Sequence, residues 1–192
     1  MFKNPRLILP AVLIALSLAA LAAAGYLMLR ETPKQSLIGG PFALTAQDGR
    51  TVTEKDFAGR PVLVFFGYTH CPDVCPTTLF EVSEVLNALG PQAKTNAIFI
   101  TVDPERDTPA VLKDYLGSFD PRVVGLSGDR AAVDAAIRAY RVYAKKIPGQ
   151  NGEYTYDHTA LVYLMDKNGR FVGAFNLDRK PADAAAQLRE YL

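Results

Sequence analysis

The chain has 192 residues, of which 49% are hydrophobic and 21% are charged, as is typical of one globular domain with a substantial core. Its formal net charge is +1, and no run of basic residues occurs in it. We therefore expect no binding to nucleic acid, because such binding depends on clustered lysine and arginine.

The N-terminal segment carries a long apolar run. No charged residue occurs within residues 7–29, and a run of this length can cross a hydrocarbon core of about 30 Å as one helix. A cleaved signal peptide is the alternative, but its apolar region would be shorter, at roughly 7–15 residues. We predict a short cytoplasmic N-terminus at 1–6, a single-pass anchor in the inner (cytoplasmic) membrane at 7–29, a linker at 30–40 and a folded periplasmic domain at 41–192.

Strand and helix patterns alternate through the folded domain. The Asp48-Gly49 turn predicts an N-terminal β-hairpin, and continuous apolar runs predict strands that are buried on both faces of a sheet. In chain order we expect a hairpin at 42–57, a strand at 61–68, a helix at 76–89, a strand at 96–103, a helix at 109–116, a strand at 122–128, a helix at 129–140, a hairpin at 159–176 and a helix at 181–192. This order is compatible with an α/β domain of thioredoxin-like fold with a mixed sheet and additional elements.

The segment GYTHCPDVCPTTL, Gly67 to Leu79, contains both cysteines of the chain. Cys71 and Cys75 lie between a predicted buried strand and a helix N-terminus, whose dipole favours thiolate over thiol. Thiolates are soft ligands for Cu(I) or Zn, and a spacing of four can place both on one helix face. The spacing is one residue longer than in the C-x-x-C motif of thiol oxidoreductases. Metal binding and redox chemistry both remain open, whereas a structural disulfide across so short a loop would stabilise little.

The two histidines are the candidates for a third metal ligand. His70 is adjacent to Cys71 in sequence, and because neighbouring side chains usually diverge, we expect His70 to be an exposed loop residue. His158 precedes a predicted apolar strand that could place its imidazole over the cysteine loop. On the residues alone, a capping or surface role for His158 is the commoner one.

Four segments together resemble the Sco/SenC family of membrane-anchored copper proteins: GYTHCPDVCPTTL, FITVDPERDTP, VYAKK and YDHTALVYLMD. The resemblance covers about residues 37–192, and the combination of CPxxCP with a distant DHT makes it specific. It implies a thioredoxin-like copper chaperone, not an enzyme, that delivers copper to the binuclear site of cytochrome c oxidase subunit II. The family's ligands correspond to Cys71, Cys75 and His158, which would hold one copper ion per chain as Cu(I) or Cu(II).

The resemblance also bears on the neighbours of these ligands. Asp73 matches a family residue linked to partner interaction, and Asp157 is expected to orient His158 by accepting a hydrogen bond. The DPERDTP segment needs no chemical role, because it can simply end a strand and start a helix. We expect the polar segment 147–157 to be a loop that becomes ordered when copper binds.

The expected partners are cytochrome c oxidase subunit II, the membrane through the N-terminal helix, and either another periplasmic copper chaperone or a thiol reductant. The alternative function is that of a thiol–disulfide oxidoreductase that reduces the cysteines of an apo copper protein. A thiol peroxidase and a structural zinc site are less favoured, since no peroxide pocket is indicated and a structural zinc site requires four protein ligands.

Overall fold

The computed structural model describes the backbone of residues 5–29 and 37–192. It describes the side chains of residues 10, 12–26 and 37–192. The chain divides into two compact units, residues 1–35 and 36–192. In the first unit, helix α1 runs over Pro5–Leu29. Among the residues described, no helix has both the length and the hydropathy needed to cross a membrane. The membrane anchor and the domain boundaries drawn from the sequence remain predictions.

A seven-stranded mixed sheet forms the centre of the second unit, and a two-stranded sheet accompanies it. The strands are β1 (Ala43–Ala46), β2 (Thr51–Thr53), β3 (Val62–Gly67), β4 (Asn96–Thr101), β5 (Val123–Ser127), β6 (Ala144–Pro148), β7 (Tyr154–His158), β8 (Val162–Met165) and β9 (Phe171–Ala174). The large sheet has the order β2-β1-β5-β4-β3-β8-β9, in which β3, β4 and β5 are parallel and the other neighbours antiparallel. The predicted α/β class, mixed sheet and N-terminal hairpin are confirmed.

Strands β3 and β4 are the central pair, and their apolar residues are buried on both faces of the sheet. They run parallel, in a register that pairs Val62 with Asn96 and Gly67 with Thr101. Their carboxyl ends therefore lie at the same edge of the sheet. The cysteine segment follows β3, and the DPERDTP segment follows β4, so the fold brings these two loops together.

Four helices and one 3₁₀ turn complete this unit: the turn at Glu54–Phe57, α2 (Val74–Leu89), α3 (Pro109–Leu116), α4 (Arg130–Ala139) and α5 (Pro181–Arg189). Helix α3 is capped by Thr108, whose side chain accepts a hydrogen bond from the Val111 amide. Helix α2 starts two residues before the predicted start at Pro76, because a proline is tolerated within the first helical turn. Cys75 is consequently part of helix α2.

The predicted loop over residues 147–157 is instead a β-hairpin, formed by β6 and β7 with a short turn. These strands pair with each other from Ala144 opposite His158 to Pro148 opposite Tyr154. At the turn, Asn151 has φ +55° and Gly152 has φ +82°, the backbone geometry for which an Asn-Gly pair is favoured in tight hairpins. The prediction was wrong because the strands are polar and largely exposed, so they lack the apolar alternation of a core strand.

Candidate metal centre

Cys71 and Cys75 belong to the segment of residues 68–75, the cysteine turn, which follows β3 and ends in the first turn of α2. The Cys71 amide donates to the Tyr68 carbonyl at 3.2 Å and so closes the turn. Both thiols are free. Cys71 is 9% exposed and Cys75 is fully buried, although the turn itself lies at the edge of the sheet.

A buried carboxylate fixes the start of the cysteine turn. The Asp107 side chain accepts hydrogen bonds from the Thr69 amide at 3.0 Å, the Thr69 hydroxyl at 2.6 Å and the Thr101 hydroxyl at 2.6 Å. Asp107 is fully buried, so these three donors replace the water that a carboxylate requires. It thereby ties the loop after β4 to the turn after β3, a role that the sequence did not reveal.

Gly67, the last residue of β3, provides the space for one of the two sulfurs. A Cβ atom added to Gly67 would lie 2.7 Å from Cys75 Sγ and 2.7 Å from the Phe99 ring. Real Cβ atoms do not approach other atoms so closely, so a glycine is required for the backbone of β3 to pack against the thiol. Gly67 is a further site residue that the spacing of the cysteines did not indicate.

His158 lies at the end of β7, in the hairpin of residues 144–158, which we term the histidine hairpin. Side chains alternate along the strand, so that Tyr154, Tyr156 and His158 share the partly buried face while Asp157 is exposed on the other. The imidazole packs between aromatic rings of the core and the cysteine turn. Its centroid lies 6.4 Å from that of Phe65 and 5.8 Å from that of Tyr68.

Hydrogen bonding determines which nitrogen of His158 is available to a metal. Nδ1 lies 3.1 Å from the Thr159 carbonyl oxygen, and because a carbonyl can only accept, Nδ1 carries the proton. The lone pair is then on Nε2, which lies 3.6 Å from Cys75 Sγ. The sequence predicted Asp157 as the acceptor, but the Thr159 carbonyl has that role because Asp157 faces the opposite side of the strand.

The structure brings together the three residues that the sequence suggested as ligands. The ligand atoms of Cys71, Cys75 and His158, one from each residue, all lie within 4.8 Å of one another, so one ion could contact all three. Two thiolates and an imidazole suit Cu(I), whereas a structural zinc site would need a fourth protein ligand. His70 and Asp73 are exposed and lie outside this group, as expected for His70.

The prediction of a low-pKa thiol pair is wrong for Cys75. Burial raises the pKa of the Cys75 thiol well above its usual range, and the neighbouring Cys71 and Asp107 raise it further. The backbone of Tyr68 opposes this shift through a hydrogen bond, but a favourable helix terminus does not compensate for the loss of water. The free thiol is therefore protonated and a weak nucleophile, and a bound cation would supply the positive charge that its thiolate needs.

The model of the SCO1/SenC family matches residues 30–192. The chain is 40% identical over 160 residues to the mitochondrial SCO1 homolog of Mus musculus, in a match that covers 81% of this chain and 56% of the relative. It is 34% identical over 188 residues to the SCO2-like protein of Rickettsia felis, covering 90% of this chain and 92% of the relative. The chain spans about half the length of the mammalian relatives it matches.

Solved structures of similar sequence share the fold. Bradyrhizobium japonicum ScoI with copper bound is 65% identical, with a TM-score of 0.79 over 81% of this chain and 99% of that one. Yeast Sco1 with copper bound is 37% identical, with a TM-score of 0.73 over 80% of this chain and 87% of that one. The thioredoxin-like α/β fold expected from the sequence is thus confirmed. On the family match and these identities, the chain belongs to the SCO1/SenC family.

Proposed function

We propose that this protein binds one copper ion through Cys71, Cys75 and His158 and delivers it to the binuclear copper site of cytochrome c oxidase subunit II. The observation that carries the proposal is the convergence of two sulfurs and one imidazole nitrogen within 4.8 Å. Relatives solved with copper bound support the choice of metal. The donor set of soft thiolates also favours Cu(I) over harder divalent ions.

The differing burial of the ligands indicates how copper would be released. The two sulfurs are buried, whereas His158 is half-buried and lies on a hairpin whose strands pair with each other and not with the seven-stranded sheet. Dissociation of the imidazole would open a coordination position on Cu(I) without disturbing the cysteine turn. A ligand of the acceptor could occupy that position and then displace the two thiolates in turn, with no change in the oxidation state of copper.

The cellular location forms part of the proposal. The uncharged run over residues 7–29 supports a single-pass anchor in the inner membrane, with the copper-binding unit on the periplasmic side. Fractionation of cells, followed by protease treatment of intact spheroplasts, tests this arrangement. We expect the protein in the membrane fraction and its folded unit to be accessible to the protease. Recovery in the cytoplasmic fraction would contradict the proposal.

A thiol–disulfide oxidoreductase is the second candidate, since both thiols are free and their sulfurs lie close together. In that reaction Cys71 and Cys75 would be oxidised to a disulfide, and a disulfide of the partner would be reduced to two thiols. The raised pKa of Cys75 makes it a poor attacking group. The reaction also leaves the imidazole beside Cys75 without a function, so copper binding accounts for more of the site.

A Cu(I) titration of the reduced full-length chain distinguishes the two functions. We expect one copper ion per chain, with two sulfur ligands and one nitrogen ligand in X-ray absorption spectra. His158→Ala should lose the nitrogen ligand and weaken binding by about tenfold or more, whereas His70→Ala, the matched control, should bind as the parent does. The loaded protein should then transfer copper to the apo copper domain of subunit II. Unchanged binding by His158→Ala, together with efficient disulfide reduction by the parent, would favour the oxidoreductase.

A further inference from the structure

The histidine hairpin raises a problem of stability. Its strands β6 and β7 form a sheet of their own and do not pair with the seven-stranded sheet. An isolated two-stranded hairpin is marginally stable in water, yet His158 Nε2 is held 3.6 Å from Cys75 Sγ. Contacts other than strand pairing must therefore fix the hairpin against the core.

The contacts come from the loop that follows β4, chiefly from Arg106. Its guanidinium forms an ion pair with Asp103, whose side chain is fully buried. The same guanidinium donates from Nη1 to the Tyr154 carbonyl at 3.2 Å and stacks on the Tyr154 ring, with Cζ 3.7 Å from the centroid. The planar guanidinium, with five donors and a face that stacks on aromatic rings, suits these three simultaneous contacts.

Tyr154 returns a contact to the same loop. Its hydroxyl donates to Asp103 Oδ1 at 3.0 Å, so the Asp103 carboxylate receives both the arginine and the tyrosine. Lys146 Nζ, from the neighbouring strand β6, lies 3.5 Å from the centroid of the Tyr154 ring.

Further along β7, the Tyr156 ring packs on Tyr68 of the cysteine turn, with 5.7 Å between the ring centroids. The anchored face of β7 is thus the face that carries His158.

We propose that Asp103, Arg106 and Tyr154 form a latch that positions His158 over the two cysteines, so that all three act as positioning residues for the metal. The proposal rests on the copper site proposed above. It also gives the DPERDTP segment a role, since Asp107 of that segment holds the cysteine turn through Thr69. One short loop after β4 therefore sets the position of both halves of the site.

A double-mutant cycle with His158 separates this role from a purely structural one. In the parent chain, Tyr154→Ala should weaken Cu(I) binding by about tenfold, and by no more than His158→Ala does. Tyr154→Phe, which retains the ring and loses only the hydroxyl, should have a smaller effect. In the His158→Ala background both substitutions should leave Cu(I) affinity unchanged. Thr155→Ala, on the exposed face of the same strand, is the matched control.

Two outcomes of this double-mutant cycle would overturn the latch. Equal weakening in both backgrounds would show that Tyr154 acts on folding or on the cysteines, and would overturn the latch. Unaltered affinity in Tyr154→Ala, while the parent binds copper with a nitrogen ligand, would overturn it as well. X-ray absorption spectra should show a reduced nitrogen contribution in Tyr154→Ala, whereas a loss of stability alone would leave the ligand set of the folded fraction unchanged.

Hydrogen exchange of the copper-free chain tests the latch independently of metal binding. The amides of residues 154–158 should exchange faster in Tyr154→Ala than in the parent or Thr155→Ala, because local opening of the hairpin becomes easier. Absence of copper binding in the parent would refute the proposed function. The amide exchange rates of residues 154–158 would still show whether Tyr154 holds the hairpin in place. Unchanged exchange in Tyr154→Ala would overturn the latch whatever the copper result.

Discussion

The cysteine turn and the histidine hairpin contribute to one metal centre but are held in different ways. The turn connects a fully buried strand to helix α2, and its backbone is fixed by the buried Asp107. The strands of the hairpin pair with each other and not with the seven-stranded sheet, are largely exposed, and are anchored through Tyr154 and Tyr156. The thiol side of the site is therefore part of the folding core, whereas the imidazole side is attached to it.

Substitutions in the two parts of the site should therefore have different effects on stability and on copper affinity. A change in the cysteine turn should lower the free energy of unfolding and copper affinity together, because the turn and the core are one cooperative unit. A change in the histidine hairpin should lower copper affinity with little effect on global unfolding.

The largest effect is expected for Asp107→Ala. The substitution removes the acceptor of three hydrogen bonds, which come from the Thr69 amide and from the hydroxyls of Thr69 and Thr101. Since a buried unsatisfied donor costs about 1–3 kcal/mol, the free energy of unfolding should fall by about 3 kcal/mol or more, as measured by urea denaturation. Asp114→Ala, at an exposed position of α3, should change it by less than about 0.5 kcal/mol. A loss no larger than the control's would show that the carboxylate does not fix the turn.

Gly67→Ala should have the next largest effect. The new Cβ would lie 2.7 Å from Cys75 Sγ, and overpacking of this kind costs about 1–3 kcal/mol. Denaturation should show this loss, and Cu(I) affinity should fall as well because the sulfur must move. Gly173→Ala, on strand β9 with nothing within 4 Å of the added Cβ, is the matched control. Lower stability with unaltered copper affinity would show that packing around the Cys75 thiol does not control metal binding. It would contradict the expectation that stability and copper affinity fall together on the cysteine side.

The sequence predicted the cysteine side more completely than the histidine side. Apolar runs identified β3 and β4 because strands buried on both faces need continuous hydrophobic residues. The pattern does not predict the histidine hairpin because its polar strands have no such signature, although the Asn151-Gly152 pair is a turn signal in its own right.

Contacts between distant segments were beyond the reach of local patterns. The pattern of the DPERDTP segment predicts the end of a strand and the start of a helix, and Thr108 caps that helix. Nothing in its spacing indicates that Asp107 contacts Thr69, or that Arg106 contacts Tyr154.

The prediction of a thiolate at Cys75 is wrong for a related reason. A helix terminus can be predicted from a sequence, but the burial of Cys75 is a property of the whole fold.

Copper affinity should depend on pH through Cys75. Because burial raises the pKa of its thiol, copper must displace a proton from that sulfur, and affinity should rise by about tenfold per pH unit for this proton alone. The dependence should continue above pH 9.0, the ordinary pKa of a thiol, since the buried thiol stays protonated there. Competition with a chelator of known pH dependence measures the slope. A slope that levels off below pH 9 would show that the Cys75 thiolate forms without the metal.

The smallest effect is expected for Gly152→Ala, in the turn of the histidine hairpin. The φ of Gly152 is +82° with nothing within 4 Å of an added Cβ, so alanine would bring only backbone strain, of about 1 kcal/mol. That strain should raise the population of the open hairpin and lower Cu(I) affinity by up to about fivefold. Global unfolding should scarcely change, and amides of residues 154–158 should exchange faster.

Gly59→Ala is the matched control for this substitution. Gly59 has φ +84° and equally open surroundings, but it follows the 3₁₀ turn, away from the metal ligands. The same strain should there reduce the free energy of unfolding and leave copper affinity unchanged, the reverse of the result expected for Gly152→Ala. If both variants lower global stability equally, the hairpin unfolds together with the core. The two halves of the site would then be a single cooperative unit, and release of the imidazole ahead of the thiolates would lose its structural basis.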